Sequence, residues 1–109
     1  MSEAHARPYK VKTISVIAKG ADVLVREYLL GPGDTIPWHH HTEVTDHYYS
    51  LEGRVTLETR APDARRVLGL GASATVSPPA AHQVSNSTER PCRFLLIQGV
   101  GRYDFIKEE

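Results

Sequence analysis

Glycine and proline interrupt this chain so regularly that long helices have little room to form. Its 8 glycines and 7 prolines leave uninterrupted runs of roughly 6 to 16 residues along a chain of 109. An amphipathic helix needs about 10 to 12 residues holding a 3.6-residue period, whereas a strand needs only four to eight. Eight strands are expected, over Val11 to Ala18, Asp22 to Leu30, Val44 to Leu51, Val55 to Thr59, Arg66 to Leu70, Thr75 to Ser77, Gln83 to Asn86 and Arg93 to Gln98. Many are rich in Val, Ile, Thr and Tyr, which suit a pleated, half-buried surface. Val55-Thr56-Leu57-Glu58 also alternates apolar with polar side chains. The expected class is all-β, a sandwich or barrel. No stretch reads as a helix, an internal repeat or a linker, and Ser2 to Pro8 and Lys107 to Glu109 are expected to fray.

Composition narrows the function classes. Hydrophobic residues at 40% and charged residues at 24% fit one domain over residues 1–109. Thirteen basic and thirteen acidic side chains cancel, so no field of one sign draws the protein to nucleic acid or to an anionic membrane, and neither partner is expected. The lone cysteine, Cys92, excludes an intrachain disulfide and a Cys-rich zinc site and points to a reducing compartment, the cytoplasm. Cys92 follows Pro91 without a basic neighbour and is expected to be a buried, inert thiol. No apolar run approaches the roughly 18 to 20 residues of a membrane span, and Met1 to Lys10 lacks the apolar middle of a signal peptide. Gly31-Pro32-Gly33, Gly69-Leu70-Gly71 and Gly99-Val100-Gly101 read as turns, and none continues into a phosphate-binding fingerprint.

The histidines carry the chemistry. His39, His40, His41 and His47 fall in one window and His82 in a second, while His5 stands apart. On an extended backbone His39 and His41 leave the same face and His40 the opposite one, which makes a two-pronged ligand. Helical metal motifs need spacings of three or four, and Pro37 also argues for an extended run. His82 is the candidate outside the first window for a third imidazole. The alternative is an idle surface patch of histidines. The cluster's internal position argues against a purification tag.

Gly33-Asp-Thr-Ile-Pro-Trp-His39-His-His41-Thr-Glu-Val-Thr-Asp46, closing at Gly53, resembles the first motif of the cupin family. Its glycine, His-x-His, acid and closing glycine are all in register, with Asp46 standing where the family has glutamate. Gly71 to Asn86 resembles the second motif, with Gly71, His82 and Asn86 in register and departures at Ser77 and Pro79. The segment between the motifs, Arg54 to Leu70, is as short as in the smallest single-domain members. The resemblance implies a small double-stranded β-helix, a jelly-roll barrel, and one divalent transition metal (iron, manganese, nickel, copper or zinc) held by His39, His41, Asp46 and His82. Asp46 is about 1.5 Å shorter in reach than glutamate, so it either ligates or orients a histidine from behind.

Further residues follow from strand alternation. Tyr48 and Ser50 share the face of Asp46 and are expected inside the barrel, as core filling or in contact with a ligand. His82, Val84 and Asn86 share a face, as do Phe94, Leu96 and Gln98, which makes Gln98 a candidate pocket residue. Trp38 is expected to cover the barrel mouth, and Arg54, Arg60, Arg65 and Arg66 to form a solvated hairpin. His40 and His47 are expected to face away from the metal. Three functions stand open: a metal-dependent enzyme, dioxygenase-type or a non-redox isomerase or decarboxylase acting on a small oxygenated molecule; a non-catalytic binding or sensor module; and a structural barrel with a vestigial site, which intact His39, His41 and His82 disfavour. Val11 to Ala18 has apolar side chains on both faces, so a homodimer is expected.

Overall fold

A computed structural model describes residues 11–108, so Ser2 to Pro8, His5 and Glu109 lie outside the described residues. Ten strands and no helix are found among them: β1 (Thr13–Lys19), β2 (Val23–Leu30), β3 (Thr35–His40), β4 (Thr45–Glu52), β5 (Val55–Thr59), β6 (Ala64–Leu68), β7 (Ser73–Val76), β8 (His82–Ser85), β9 (Cys92–Gly99) and β10 (Ile106–Lys107). They form two antiparallel five-stranded sheets, ordered β1-β2-β9-β4-β7 and β10-β3-β8-β5-β6. Alternate side chains of both sheets point into one core, where Tyr28, Tyr48, Phe94 and Leu96 meet Ile36, Leu57 and Val84. Tyr28 and Phe94, paired across β2 and β9, stack with ring centroids 5.0 Å apart. The fold is all-β, a jelly-roll barrel.

Two strands fall outside the eight expected. β3 is masked in the sequence by Pro37, which cannot donate to a ladder. The β3–β8 pairing absorbs it by a register shift between Ile36 and His39, so that three steps on β3 oppose two on β8. β10 pairs with β3, and the Glu108 N–H donates to the Trp38 carbonyl at 2.9 Å, so Lys107 and Glu108 are tied down rather than frayed. β6 begins at Ala64 rather than Arg66 because its first pair, Thr59 with Ala64, closes directly on a short turn, and Leu70 lies outside it, exposed.

The two glycines that bound the first motif have different reasons to be glycine. Both have left-handed backbones, Gly33 with φ +81° and Gly53 with φ +71°. A Cβ on Gly33 would meet nothing within 4 Å, but one on Gly53 would stand 2.6 Å from the Pro91 carbonyl oxygen. Gly33→Ala therefore carries only conformational strain, roughly 1–2 kcal/mol. Gly53→Ala adds a clash with backbone and is expected to cost at least about 2 kcal/mol more, a further drop of about 10 °C in melting temperature for a domain this size. Melting curves check this; equal effects of the two substitutions would contradict it.

Candidate metal centre

The register shift in β3 decides which side chains enter the barrel. After it, His39 and His41 are buried and His40 is half-exposed on the other face. His39 pairs with His82, the first residue of β8. On the opposite sheet Asp46 of β4 pairs with Gln98 of β9, and both are buried. Two imidazoles, His39 and His82, thus hang from one sheet, His41 follows directly on the end of β3, and all three face a carboxylate from the other sheet. Their four ligand atoms all lie within 4.8 Å of one another.

The outer nitrogens fix the state of the inner ones. Nδ1 of His39 lies 2.7 Å from the Pro37 carbonyl oxygen, Nδ1 of His41 2.6 Å from that of Asp104, and Nδ1 of His82 2.9 Å from that of Ala80. A carbonyl only accepts, so each Nδ1 carries the hydrogen and each neutral ring presents a lone pair on Nε2. Two of those nitrogens face the same carboxylate oxygen: Asp46 Oδ2 is 2.9 Å from His82 Nε2 and 3.2 Å from His41 Nε2. Lone pairs facing an anion repel unless a proton or a cation lies between them. Burial, with neighbouring His82 adding to it, lowers the pKa of His39 to about 3, so this ring stays neutral. Burial also pulls His41 down, but the hydrogen bond and charge of Asp46 outweigh it and leave His41 raised. Burial pushes Asp46 up, yet its bonds to His41 and His82 hold its carboxyl well below the usual range.

Asp46 is held from behind as well. Oδ2 accepts from the Tyr48 hydroxyl at 2.7 Å and Oδ1 from Gln98 Nε2 at 2.9 Å. Burial, and then the charge of Asp46, raises Tyr48 well above its ordinary value, so the phenol keeps the proton it donates. Arg26 donates through Nη2 to Gln98 Oε1, and since a guanidinium only donates, the amide nitrogen must face Asp46. This donor set fits a divalent transition ion. Imidazole and carboxylate are ligands such ions accept, and bonds of about 2.1 Å put opposite donors about 4.2 Å apart, close to the spread found here.

The other candidates are distributed as follows. Tyr48 is fully buried against Phe94, with its hydroxyl spent on Asp46. Ser50 is buried and its hydroxyl has no partner among the described residues. His47 is half-buried on the outer face of β4, beside Thr75, and His40 bonds Glu108. Trp38 lies under the Arg60 guanidinium, 3.8 Å from the ring centroid, on the outer surface. Arg54, Arg60, Arg65 and Arg66 are exposed. Cys92 is buried, and burial pushes its thiol up to about 11.

Several residues escaped the sequence reading. Phe105 stacks on His39 at 4.2 Å, Tyr103 lies against His41, and the Asp104 carbonyl sets the His41 tautomer. These contacts run through rings and backbone brought from some 60 residues away, and no local pattern announces them. Arg26 did leave a signal, because it falls in phase with the inward Tyr28 and Leu30 of β2.

Comparison with known proteins agrees with this geometry. The family model of the cupin domain matches residues 26–98. The chain belongs to the cupin family. A search of curated protein sequences finds no match. Among solved structures, this cupin is similar to a conserved protein with a double-stranded β-helix domain from Klebsiella pneumoniae (TM-score 0.75, 23% identity, 89% of this chain and 84% of that one). It is similar to the oxalate decarboxylase of Lactobacillus farciminis, seen as a formate complex (TM-score 0.76, 15% identity, 91% of this chain but 33% of that one). It is also similar to the cupin domain of an XRE-family transcriptional regulator from Enterobacter cloacae (TM-score 0.70, 18% identity, 83% and 97%). At these identities the likeness is one of fold.

The Tyr48–Asp46 bond is testable on its own. Tyr48→Phe removes a buried donor to an ionised carboxylate and leaves the ring packing intact, so unfolding free energy should fall by about 1.5–3 kcal/mol. Chemical denaturation measures it; a variant as stable as the parent would show that the bond contributes nothing.

Proposed function

We propose that His39, His41, His82 and Asp46 hold one divalent transition metal and that the protein is a metal-dependent enzyme acting on a small oxygenated organic molecule. The observation that carries this reading is the set of three Nδ1–carbonyl bonds, which leave three Nε2 lone pairs converging on a buried carboxylate. A bound ion would supply Lewis-acid or redox chemistry there, which suits a dioxygenase-type reaction or a non-redox isomerisation or decarboxylation. The chain's own part is to orient the rings through Pro37, Asp104 and Ala80, to fix Asp46 through Tyr48 and Gln98, and to exclude water with Phe105 and Tyr48. The similarity to an oxalate decarboxylase supports the enzymatic reading. The similarity to a cupin domain of a transcriptional regulator supports a second one, a non-catalytic module that binds a small molecule. A cytoplasmic setting accords with the single buried thiol of Cys92.

Metal analysis of protein purified without an affinity tag is expected to give about one ion per chain. At free metal about 100 times the dissociation constant, binding adds about 2.7 kcal/mol, which a chelator should remove as a fall of about 10 °C or more in melting temperature. Alanine at His39, His41 or His82 should abolish most of the affinity, while alanine at His40 or His47 should keep it. Near-zero metal after supplementation, with a melting curve indifferent to chelator, would overturn the reading. Oxygen uptake or turnover with diketones, catechols or thiols separates enzyme from binding module, since the module gives none.

The same chain is proposed to pair with a second copy. β1 is an edge strand, and its Val16 and Ile17 are 61% and 57% exposed. Such an edge is a template for pairing. Sedimentation at micromolar concentration should show a dimer that Val16→Lys disperses, and a single species near 12 kDa for the parent protein would refute it.

A further inference from the structure

We propose that Asp104 is a positioning residue for His41: its carboxylate clasps Thr42, and the clasp holds the Asp104 carbonyl against the His41 ring so that Nε2 faces Asp46. The proposal rests on the metal-binding reading above. His41 needs such help more than the other two imidazoles. His39 and His82 bond carbonyls two residues back in their own chain, and both lie within paired strands. His41 follows the last residue of β3, and its acceptor comes from the segment between β9 and β10. That segment, residues 100–105, belongs to no strand. Something other than sheet register therefore has to keep Asp104 beside His41.

Asp104 bonds two successive residues through three atoms. Its Oδ1 accepts from the Thr42 backbone N–H at 2.9 Å, its Oδ2 from the Thr42 hydroxyl at 2.6 Å, and its carbonyl oxygen from His41 Nδ1 at 2.6 Å. The two Thr42 bonds hold the Asp104 carboxyl below its usual pKa, and an ionised acceptor makes the stronger bond. Water competes for each of them, because the Thr42 contacts are exposed. Together they hold, since once one has formed the others close at little further loss of chain entropy. The result is a carbonyl fixed in place and direction, which keeps the hydrogen on Nδ1 and leaves Nε2 a lone pair, 3.2 Å from Asp46 Oδ2. The same segment is tethered through a different pair, the Arg102 N–H donating to Glu43 Oε1 at 2.9 Å. That second tether distinguishes holding the segment from positioning the ring. Asp104 itself lies outside residues 26–98, the part of the chain that the cupin model matches.

The test uses the full chain, metal-free for imidazole NMR and titrated with cobalt(II) for affinity. In the metal-free parent, at a pH where the His41 ring is neutral, the hydrogen should sit on Nδ1 alone. Asp104→Ala should mix the two tautomers and weaken cobalt about 10- to 100-fold, the range for a group that orients a ligand. Asp104→Asn has an amide oxygen to accept from the Thr42 N–H and an amide nitrogen to donate to the Thr42 hydroxyl. It should restore the single tautomer and most of the affinity, although the charge is gone. Thr42→Val keeps the shape and the backbone bond, so it should fall between the parent and Asp104→Ala, and it stands in for Asp104→Ala if that variant does not fold. Glu43→Ala should lower the melting temperature and leave the tautomer and the cobalt affinity close to those of the parent. A merely structural Asp104 would behave in the same way. An unaltered tautomer in Asp104→Ala, or Asp104→Asn binding cobalt as poorly as Asp104→Ala, overturns the inference. If the parent holds no cobalt, the metal-centre reading falls, and the imidazole signals alone decide whether Asp104 positions His41.

Discussion

The centre depends on three hydrogen bonds between imidazole Nδ1 atoms and backbone carbonyls. A free histidine in a barrel of this size would rotate or change tautomer, and its neighbours would repack around it. Here the carbonyls of Pro37, Ala80 and Asp104 each hold one ring and one tautomer. Two of these carbonyls lie two residues before the histidine they serve, so the local chain fixes His39 and His82. The third comes from the segment leading to β10. Pairing of β10 with β3 is therefore part of the site, because it brings the Asp104 carbonyl to His41 and the Phe105 ring to His39.

Facing those rings, Asp46 is an ionised group in a dry core, which would be untenable without partners. Its two oxygens meet two imidazole nitrogens, a phenol and an amide. Behind the amide stands Arg26, which fixes its orientation. The network is satisfied on its outer side by donors that cannot turn round, and open on its inner side, where lone pairs converge. That asymmetry suits a cation held between the imidazoles and Asp46, whereas the donors and acceptors of a structural polar cluster would balance throughout. It also gives the short Asp46 a definite place, because Tyr48 and Gln98 hold it facing the imidazoles and leave it little freedom to swing away.

Much of this was legible from the chain, for local reasons. Gly33 was a turn by residue type and Gly53 the closing glycine of the first motif, and the structure adds that, of these two, only Gly53 has backbone of another segment where a side chain would be. Alternation along β4 put Asp46, Tyr48 and Ser50 on one face, and they are buried together. Alternation along β9 did the same for Gln98. Strand β3 was harder, because Pro37 disguises it and the bulge around Pro37 and Trp38 changes which residues point inward.

By itself the sequence determined the class of structure, the pairing of His39 with His41 on one face, and the nomination of His82. These rest on punctuation and on the two-residue period of a strand, and both are local. Only the tertiary structure decided that His82 stands across from His39, that Asp46 lies opposite them on the other sheet, and that Arg26, Tyr103, Asp104 and Phe105 belong to the same neighbourhood. Those are questions of register and of sheet facing, set by which strands pair over tens of residues, and no window of sequence contains that information.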